Sequence, residues 1–313
     1  MHKKIIMALF LISMLFLTSC MIKKPGTEPD ERLAEDVYSG TSGLEMSFVK
    51  DSPPSKIYDT STLSLITELR NKGTADLTGR CFLHLSGFDD SIVQIMNKMQ
   101  PCGILDAKSQ FNPDGGFDTQ EFTANRIWLP EGTDSYKPKF VLTGCYDYET
   151  TANPIICIDP NLYSIQPVEQ ACRVQDVALT GGQGAPVGVT RVDVDMMKDK
   201  ALFKIYVANL GRGQVLRYGL SKTGLGAHSC PYNLDYDDLN IVEYDVSMRG
   251  GRLIKCTPEL AGSRVRLVDE KATIFCTFGF SGQSAFTTPL NIRLAYGYMD
   301  SVTRDVEILK TPQ

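Results

Sequence analysis

The chain has 313 residues, 42% of them hydrophobic, a length and composition that fit two domains each able to bury a core. Its formal charge is −5, and it turns more negative once Lys3 and Lys4 leave with the leader described next. A mildly acidic chain with no basic patch excludes nucleic acid as an expected partner.

The chain opens on a short positive stretch, Met1 to Lys4, followed by an uncharged apolar run over 5–17 and then Leu17-Thr18-Ser19-Cys20. Charge, apolar run and small residues in that order predict an export signal over 1–19. The run is too short for the ~20 residues of a spanning helix. Leu-Thr-Ser-Cys resembles the lipobox of prokaryotic lipoproteins. That resemblance implies that Cys20 is acylated after cleavage and ties the chain to membrane lipid on the outer face of the cell. The alternative is an ordinary signal that happens to contain a cysteine. No second long apolar run follows, so a single anchor is expected. Lys23 and Lys24 add only a weak attraction to anionic head groups.

Residues 20–43 mix Lys, Pro, Gly, Glu and Asp without an apolar period and read as a flexible tether. From Leu44 onward the pattern is that of short strands. Leu63, Leu65, Thr67 and Leu69 alternate with polar neighbours, and Asn71-Lys72-Gly73 turns the chain. A strand over 81–85 follows. Ile92, Ile95, Met96 and Met99 then fall at helical spacing behind Asp89 and Asp90, which predicts one short helix over 89–99. Residues 140–148 and 154–158 read as a hairpin. Further strands are expected over 187–194, 202–210, 241–246, 264–268, 273–278, 291–298 and 306–309. Short strands with Gly and Pro between them predict an all-β chain of β-sandwiches.

The sequence also repeats itself. Leu65, Thr67, Leu69, Asn71, Gly73 and Leu77 match Phe203, Ile205, Val207, Asn209, Gly211 and Val215 without a gap. Later in each half, Cys145-Tyr146-Asp147-Tyr148 matches Ala295-Tyr296-Gly297-Tyr298, and Ile158 matches Ile308. The two matches keep their order, which predicts tandem copies over 44–158 and 187–313, joined by a bridge over 159–186. The Asn-x-Gly strand end and the late Tyr-x-Tyr resemble extracellular immunoglobulin-like domains of the prokaryotic adhesion-related kind. With Cys157-Ile158-Asp159-Pro160 and the stretch Gly181 to Pro186 between the domains, the whole chain resembles uncharacterised archaeal lipoproteins. The resemblance implies two tandem immunoglobulin-like sandwiches outside the cell and supplies no catalytic residue. Trp128 departs from the antibody pattern, since it is not set between two cysteines as a core tryptophan on a B–F disulfide would be.

Acylation of Cys20 leaves Cys81, Cys102, Cys145, Cys157, Cys172, Cys230, Cys256 and Cys276. An even set in an exported chain predicts disulfides, and no C-x-x-C pair suggests a metal. Locality pairs Cys157 with Cys172 across the bridge, worth about 3 kcal/mol for a loop of this length, and Cys256 with Cys276. Of the other four, three lie in the first half and one in the second. Either a thiol stays free in each half or a bond crosses between them, and free buried thiols are the expectation.

Nothing announces catalysis. His84 lies in a strand and His228 in a loop, and Gly279-Phe280-Ser281-Gly282-Gln283 is not the Gly-x-Ser-x-Gly elbow. Asp235 to Asp238 and Asn112 to Asp118 lack the spacing of a calcium loop and read as solvated turns. Gly182-Gln183-Gly184 is too sparse for a nucleotide loop and reads as a flexible interdomain turn. No cofactor or metal is expected. The sequence therefore predicts a non-catalytic, lipid-anchored surface protein that binds an extracellular protein or envelope polymer. A solute-binding lipoprotein of a transporter and an envelope hydrolase are the alternatives.

Overall fold

The computed structural model describes residues 37–162, 171–220, 230–260, 262–281 and 284–312, all within one contact unit, Asp36–Gln313. Cys20, the leader, most of the tether and His228 lie outside the described residues. The first half of the sequence forms β1 (Leu44–Phe48), β2 (Lys56–Tyr58), β3 (Ser64–Asn71), β4 (Cys81–Ser86), β5 (Val93–Gln94), β6 (Met99–Pro101), β7 (Phe117–Thr123), β8 (Arg126–Ile127), β9 (Ser135–Tyr136), β10 (Lys139–Ala152) and β11 (Ile155–Ile158). The second half forms β12 (Val177–Ala178), β13 (Val187–Met197), β14 (Lys200–Asn209), β15 (Gln214–Leu216), β16 (Ile241–Met248), β17 (Gly251–Thr257), β18 (Arg264–Arg266), β19 (Lys271–Phe280), β20 (Phe286–Asp305) and β21 (Glu307–Leu309). No helix of the described residues is long and apolar enough to cross a membrane.

The alternation read from the sequence shows directly in burial. In β3, Leu65, Thr67, Leu69 and Asn71 are buried and their neighbours are not. In β14, Phe203, Ile205 and Val207 do the same. A strand puts successive side chains on opposite faces, so each of these buries one face and leaves the other wet.

The sheet order carries the internal repeat. One outer sheet runs β1-β3-β7, and its counterpart contains β13-β14-β19 in the same order, with β12 and β17 added at its edges. Both stand on the same face of one eight-stranded sheet, where the Leu44 N–H of β1 and the Val187 N–H of β13 reach Tyr146 and Tyr296; its main path is β18-β16-β20-β10-β4-β6. Read from its middle outward, the path meets matching strands of the two halves: β20 with β10, β16 with β4, β18 with β6. One hydrophobic cluster, from Leu65 and Leu83 to Phe203 and Ile292, spans strands of both halves.

The centre of this sheet is an antiparallel ribbon of β10 and β20. Tyr146 faces Tyr298, Asp147 faces Gly297 and Tyr148 faces Tyr296. Since Tyr146 matches Tyr296 in sequence and Tyr148 matches Tyr298, the ribbon has a local two-fold axis through the Asp147–Gly297 pair. The register holds beyond both ends: Ile158 of β11 faces Phe286, and Ile308 of β21 faces Tyr136 of β9.

Two expectations are corrected. Residues 140–148 and 154–158 are not a hairpin. β10 and β11 are successive parts of one run along β20, interrupted at Asn153-Pro154, where the Leu290 N–H still reaches Pro154 O at 2.9 Å. A long cross-half ladder replaces a local return. Residues 89–99 are not a helix either. Asp89 Oδ1 accepts the Ser91 N–H at 2.8 Å and makes a single turn, after which Val93 pairs with Ile127. The apolar spacing suited a helix, but Val93 and Ile95 are buried from an extended chain, and Met96 stays exposed. Pairing with β8 overrides a weak local pattern.

Candidate binding cleft

The two sequence repeats meet in space and build the same joint twice. Asn71 ends β3, and its Oδ1 accepts the Gly73 N–H at 3.1 Å while its Nδ2 donates to Ala75 O at 2.8 Å. Tyr148 from β10 closes the loop: its Oη donates to Asn71 Oδ1 at 3.3 Å and accepts the Ala75 N–H at 3.2 Å. In the second half Asn209 holds Gly211 and Gly213 at 3.3 and 2.9 Å. Tyr298 donates to Asn209 Oδ1 at 3.1 Å and accepts the Gly213 N–H at 2.8 Å. The other tyrosine of each pair tethers the lead-in of a sandwich: Tyr146 Oη takes the Leu44 N–H and Tyr296 Oη the Val187 N–H, at 3.3 and 3.2 Å.

These tyrosines are buried and stack around the local axis, with ring centroids 5.7 Å apart for Tyr146–Tyr298 and 6.3 Å for Tyr148–Tyr296. Burial, the largest cause in each case, raises all four phenols, and takes Tyr298 up to about 12. They are neutral hydrogen-bonding struts.

The glycine stretch is held rather than loose. Gly40 N donates to Gly181 O at 2.7 Å, and Gly184 N donates to Gly40 O at 2.8 Å. Thr74 N reaches Gly184 O at 2.9 Å, and the Gln183 side chain grips both main-chain groups of Val189. The end of the expected tether, from Gly40 to Gly43, thus belongs to the folded unit.

The described disulfides are Cys157–Cys172 and Cys256–Cys276, together with Cys81–Cys102 and Cys145–Cys230. The last two correct the expectation of free thiols. Cys145–Cys230 is a bond between the halves, with Cα atoms 6.2 Å apart. It is reachable because the chain between β15 and β16 returns over β10, where Gly219 N donates to Asp147 Oδ1 at 2.9 Å. Four disulfides fit an oxidising compartment.

Other candidate residues resolve into structure. His84 is in β4 and meets the Tyr232 ring edge-on at 4.9 Å; desolvation lowers its pKa, and Lys98 lowers it further. Asp238 binds Arg217 at 2.7 Å and Asp237 binds Arg266 at 3.2 Å, so that acidic loop is bound by arginine. Asp118 accepts main-chain N–H groups of Ile104 and Thr119. Trp128 is half exposed in a loop. No group of three or more metal-ligating side chains occurs among the described residues.

A cleft of about 1040 Å³ remains, and sequence reading missed it. Its floor is the outer edge of β10 at Glu149 and Thr151, continued by Asn153 just past the strand. Its walls are the segment from Thr74 to Arg80 and the segment from Ala178 to Gln183. Glu149 Oε1 meets Arg80 at 3.3 Å and the Tyr218 hydroxyl at 3.4 Å, while Oε2 takes both Arg293 Nη2 and Nε, at 2.9 and 3.1 Å. With both oxygens engaged, this carboxylate braces the floor and is not placed to shuttle a proton. Asp76 and Asp106 stand exposed on the rim.

At the Glu149 end of the cleft the halves differ. In the second half β15 pairs along β20, Gln214 with Met299 and Leu216 with Gly297. The matching segment of the first half turns away: Arg80 N donates to Leu77 O at 2.9 Å across Thr78-Gly79, and Gly79 has φ +71°. That is the glycine position of a type II turn. Thr-Gly in one copy against Leu-Arg in the other is the signal that could have located the cleft.

No protein-family model and no curated protein matches this chain. Among solved structures it is similar to the CupB6 tip adhesin from Pseudomonas aeruginosa, at 10% identity and a TM-score of 0.18, over 86% of this chain and 98% of that one. At that score the folds do not superpose as wholes.

Proposed function

We propose that the chain is a non-catalytic, lipid-anchored surface module: two copies of one immunoglobulin-like β-sandwich unit, 44–158 and 187–313, fused through a shared sheet and projected from the membrane by Cys20. Its work is to bind an extracellular protein or an envelope polymer. The observation that carries this reading is the cleft at Glu149. It is wide, polar and backed by a disulfide-pinned sheet, and its one bound carboxylate is occupied by two arginines. A rigid sandwich that offers a preformed concave site suits recognition. Neither rival gains a specific observation.

The reading has two tests. Cys20→Ser should release the protein from membranes, and continued partition with lipid would defeat the anchor. The released Cys20→Ser chain should be captured by intact envelopes of the producing cell, and absence of capture would count against a surface-binding role.

A further inference from the structure

The floor of the cleft is a strand edge. In an antiparallel ribbon the N–H and C=O of one residue point to the same side, and successive residues alternate. Leu290 N reaches Pro154 O and Val306 N reaches Pro138 O, so even-numbered positions along this run bond towards β20 and β21. Asp147 N donates to Arg80 O on the other side, at 3.0 Å. Glu149, Thr151 and Asn153 therefore aim their main-chain groups into the cleft. β4 stops pairing at Tyr146, and among the described residues no strand bonds to this edge beyond it.

The second half shows what such an edge takes. There Gly297 to Met299 of β20, which match Asp147 to Glu149, are closed by β15, so the covered stretch overlaps the open edge at Glu149. Charge adds a second constraint. Glu149 is shared by Arg80 and the closer Arg293, and the other charged side chains lining the cleft, Asp76 and Asp106, are both acidic and exposed.

We propose that the cleft binds an extended peptide carrying a basic side chain, added as a further strand on the edge that runs from Glu149 of β10 to Asn153 just beyond it. This rests on the reading of the chain as a surface-binding module and names its ligand class. Main-chain hydrogen bonds supply the affinity, and the acidic rim selects the basic side chain.

The probe is a synthetic peptide with the sequence of residues 212–218, Arg-Gly-Gln-Val-Leu-Arg-Tyr, which contains β15. Binding to the purified full chain is followed by fluorescence anisotropy. Its control carries N-methyl groups at the residues matching Gln214 and Leu216, which removes the donors of the pairing edge. The account expects saturable binding of the first peptide and binding about tenfold or more weaker for the control, the loss expected of two forfeited hydrogen bonds. Thr151→Pro removes the donor at the floor, at a position where an outward N–H tolerates proline, and should cause a similar loss. Asp76→Asn with Asp106→Asn should weaken binding and flatten its salt dependence. Equal binding of the two peptides, or no binding of either, overturns the proposal, and the N-methyl arm holds even if Thr151→Pro fails to fold. Envelope capture of the Cys20→Ser chain without peptide binding would sink strand addition and leave the surface role. Peptide binding without capture would do the reverse.

Discussion

At the scale of the residue, the fold turns on small side chains that let a tyrosine hydroxyl reach main chain. A Cβ on Gly73 would lie 2.4 Å from Gly184 O and 2.7 Å from Ser42 O, besides striking the Tyr148 hydroxyl. Two of those neighbours are backbone and cannot swing aside. Gly73→Ala should therefore destabilise by about 3 kcal/mol, the upper range for overpacking, read as a fall in the urea midpoint. Tyr298 makes a prediction in pH. Its phenol ionises near 10.0 when free and near 12 in the fold, chiefly because it is buried. The folded state thus keeps a proton that the unfolded chain gives up. Stability is intact below pH 10 and falls as pH rises from about 10 towards 12. Tyr298→Phe should lessen that alkaline loss, measured as the slope of unfolding free energy against pH. The roles of Asn71, Gly73, Tyr148 and their counterparts were half legible in sequence. Their repetition marked them, but nothing in a linear pattern says that an Asn-x-Gly turn and a Tyr-x-Tyr strand, far apart in the chain, share hydrogen bonds.

At the scale of the element, alternation was a sound guide wherever one face of a strand is wet, as in β3 and β14. It failed where the partner was distant. β11 looks local to β10, and only the ladder with β20 shows that the two run on together. The helix expected over 89–99 failed for the same reason, since pairing with β8 decides that segment. The disulfides show both sides of the limit. Cys256 directly faces Cys276 across β17 and β19, as neighbours in sequence can. Cys145–Cys230 depends on a segment crossing between halves, which parity raised as an option and locality argued against. The repeat also predicts a substitution. Cys81 of β4 and Cys102, the residue just past β6, lie side by side, and the matching place on β16 and β18 holds the facing pair Val242 and Val265, both buried. Cys81→Val with Cys102→Val should keep the fold and lose about 3 kcal/mol, the entropy of a loop of roughly that size. A gain or loss of strand content by circular dichroism would show that the two places are not equivalent.

At the scale of the whole molecule, the halves are not beads on a string. Their longest strands form one ribbon about an axis at Asp147 and Gly297, and a single hydrophobic cluster runs through both. Unfolding should accordingly be one cooperative transition by calorimetry, with no separate melting of either half. The same arrangement explains why the candidate cleft was invisible in the sequence. Its Glu149 end is a difference between two copies, opened by a turn at Thr78-Gly79 where the other copy continues as β15. Thr143 and Ser301 offer a direct test of the shared ribbon. They face each other across it with hydroxyl oxygens 2.9 Å apart, at a pair that is not hydrogen-bonded through the main chain. Such pairs hold their Cα atoms about 4.5 Å apart, within reach of a disulfide. In the double variant Thr143→Cys with Ser301→Cys, non-reducing peptide mapping of the folded monomer should find residue 143 bonded to residue 301. Free thiols at both positions, or a bond from either to another cysteine, would contradict the shared ribbon.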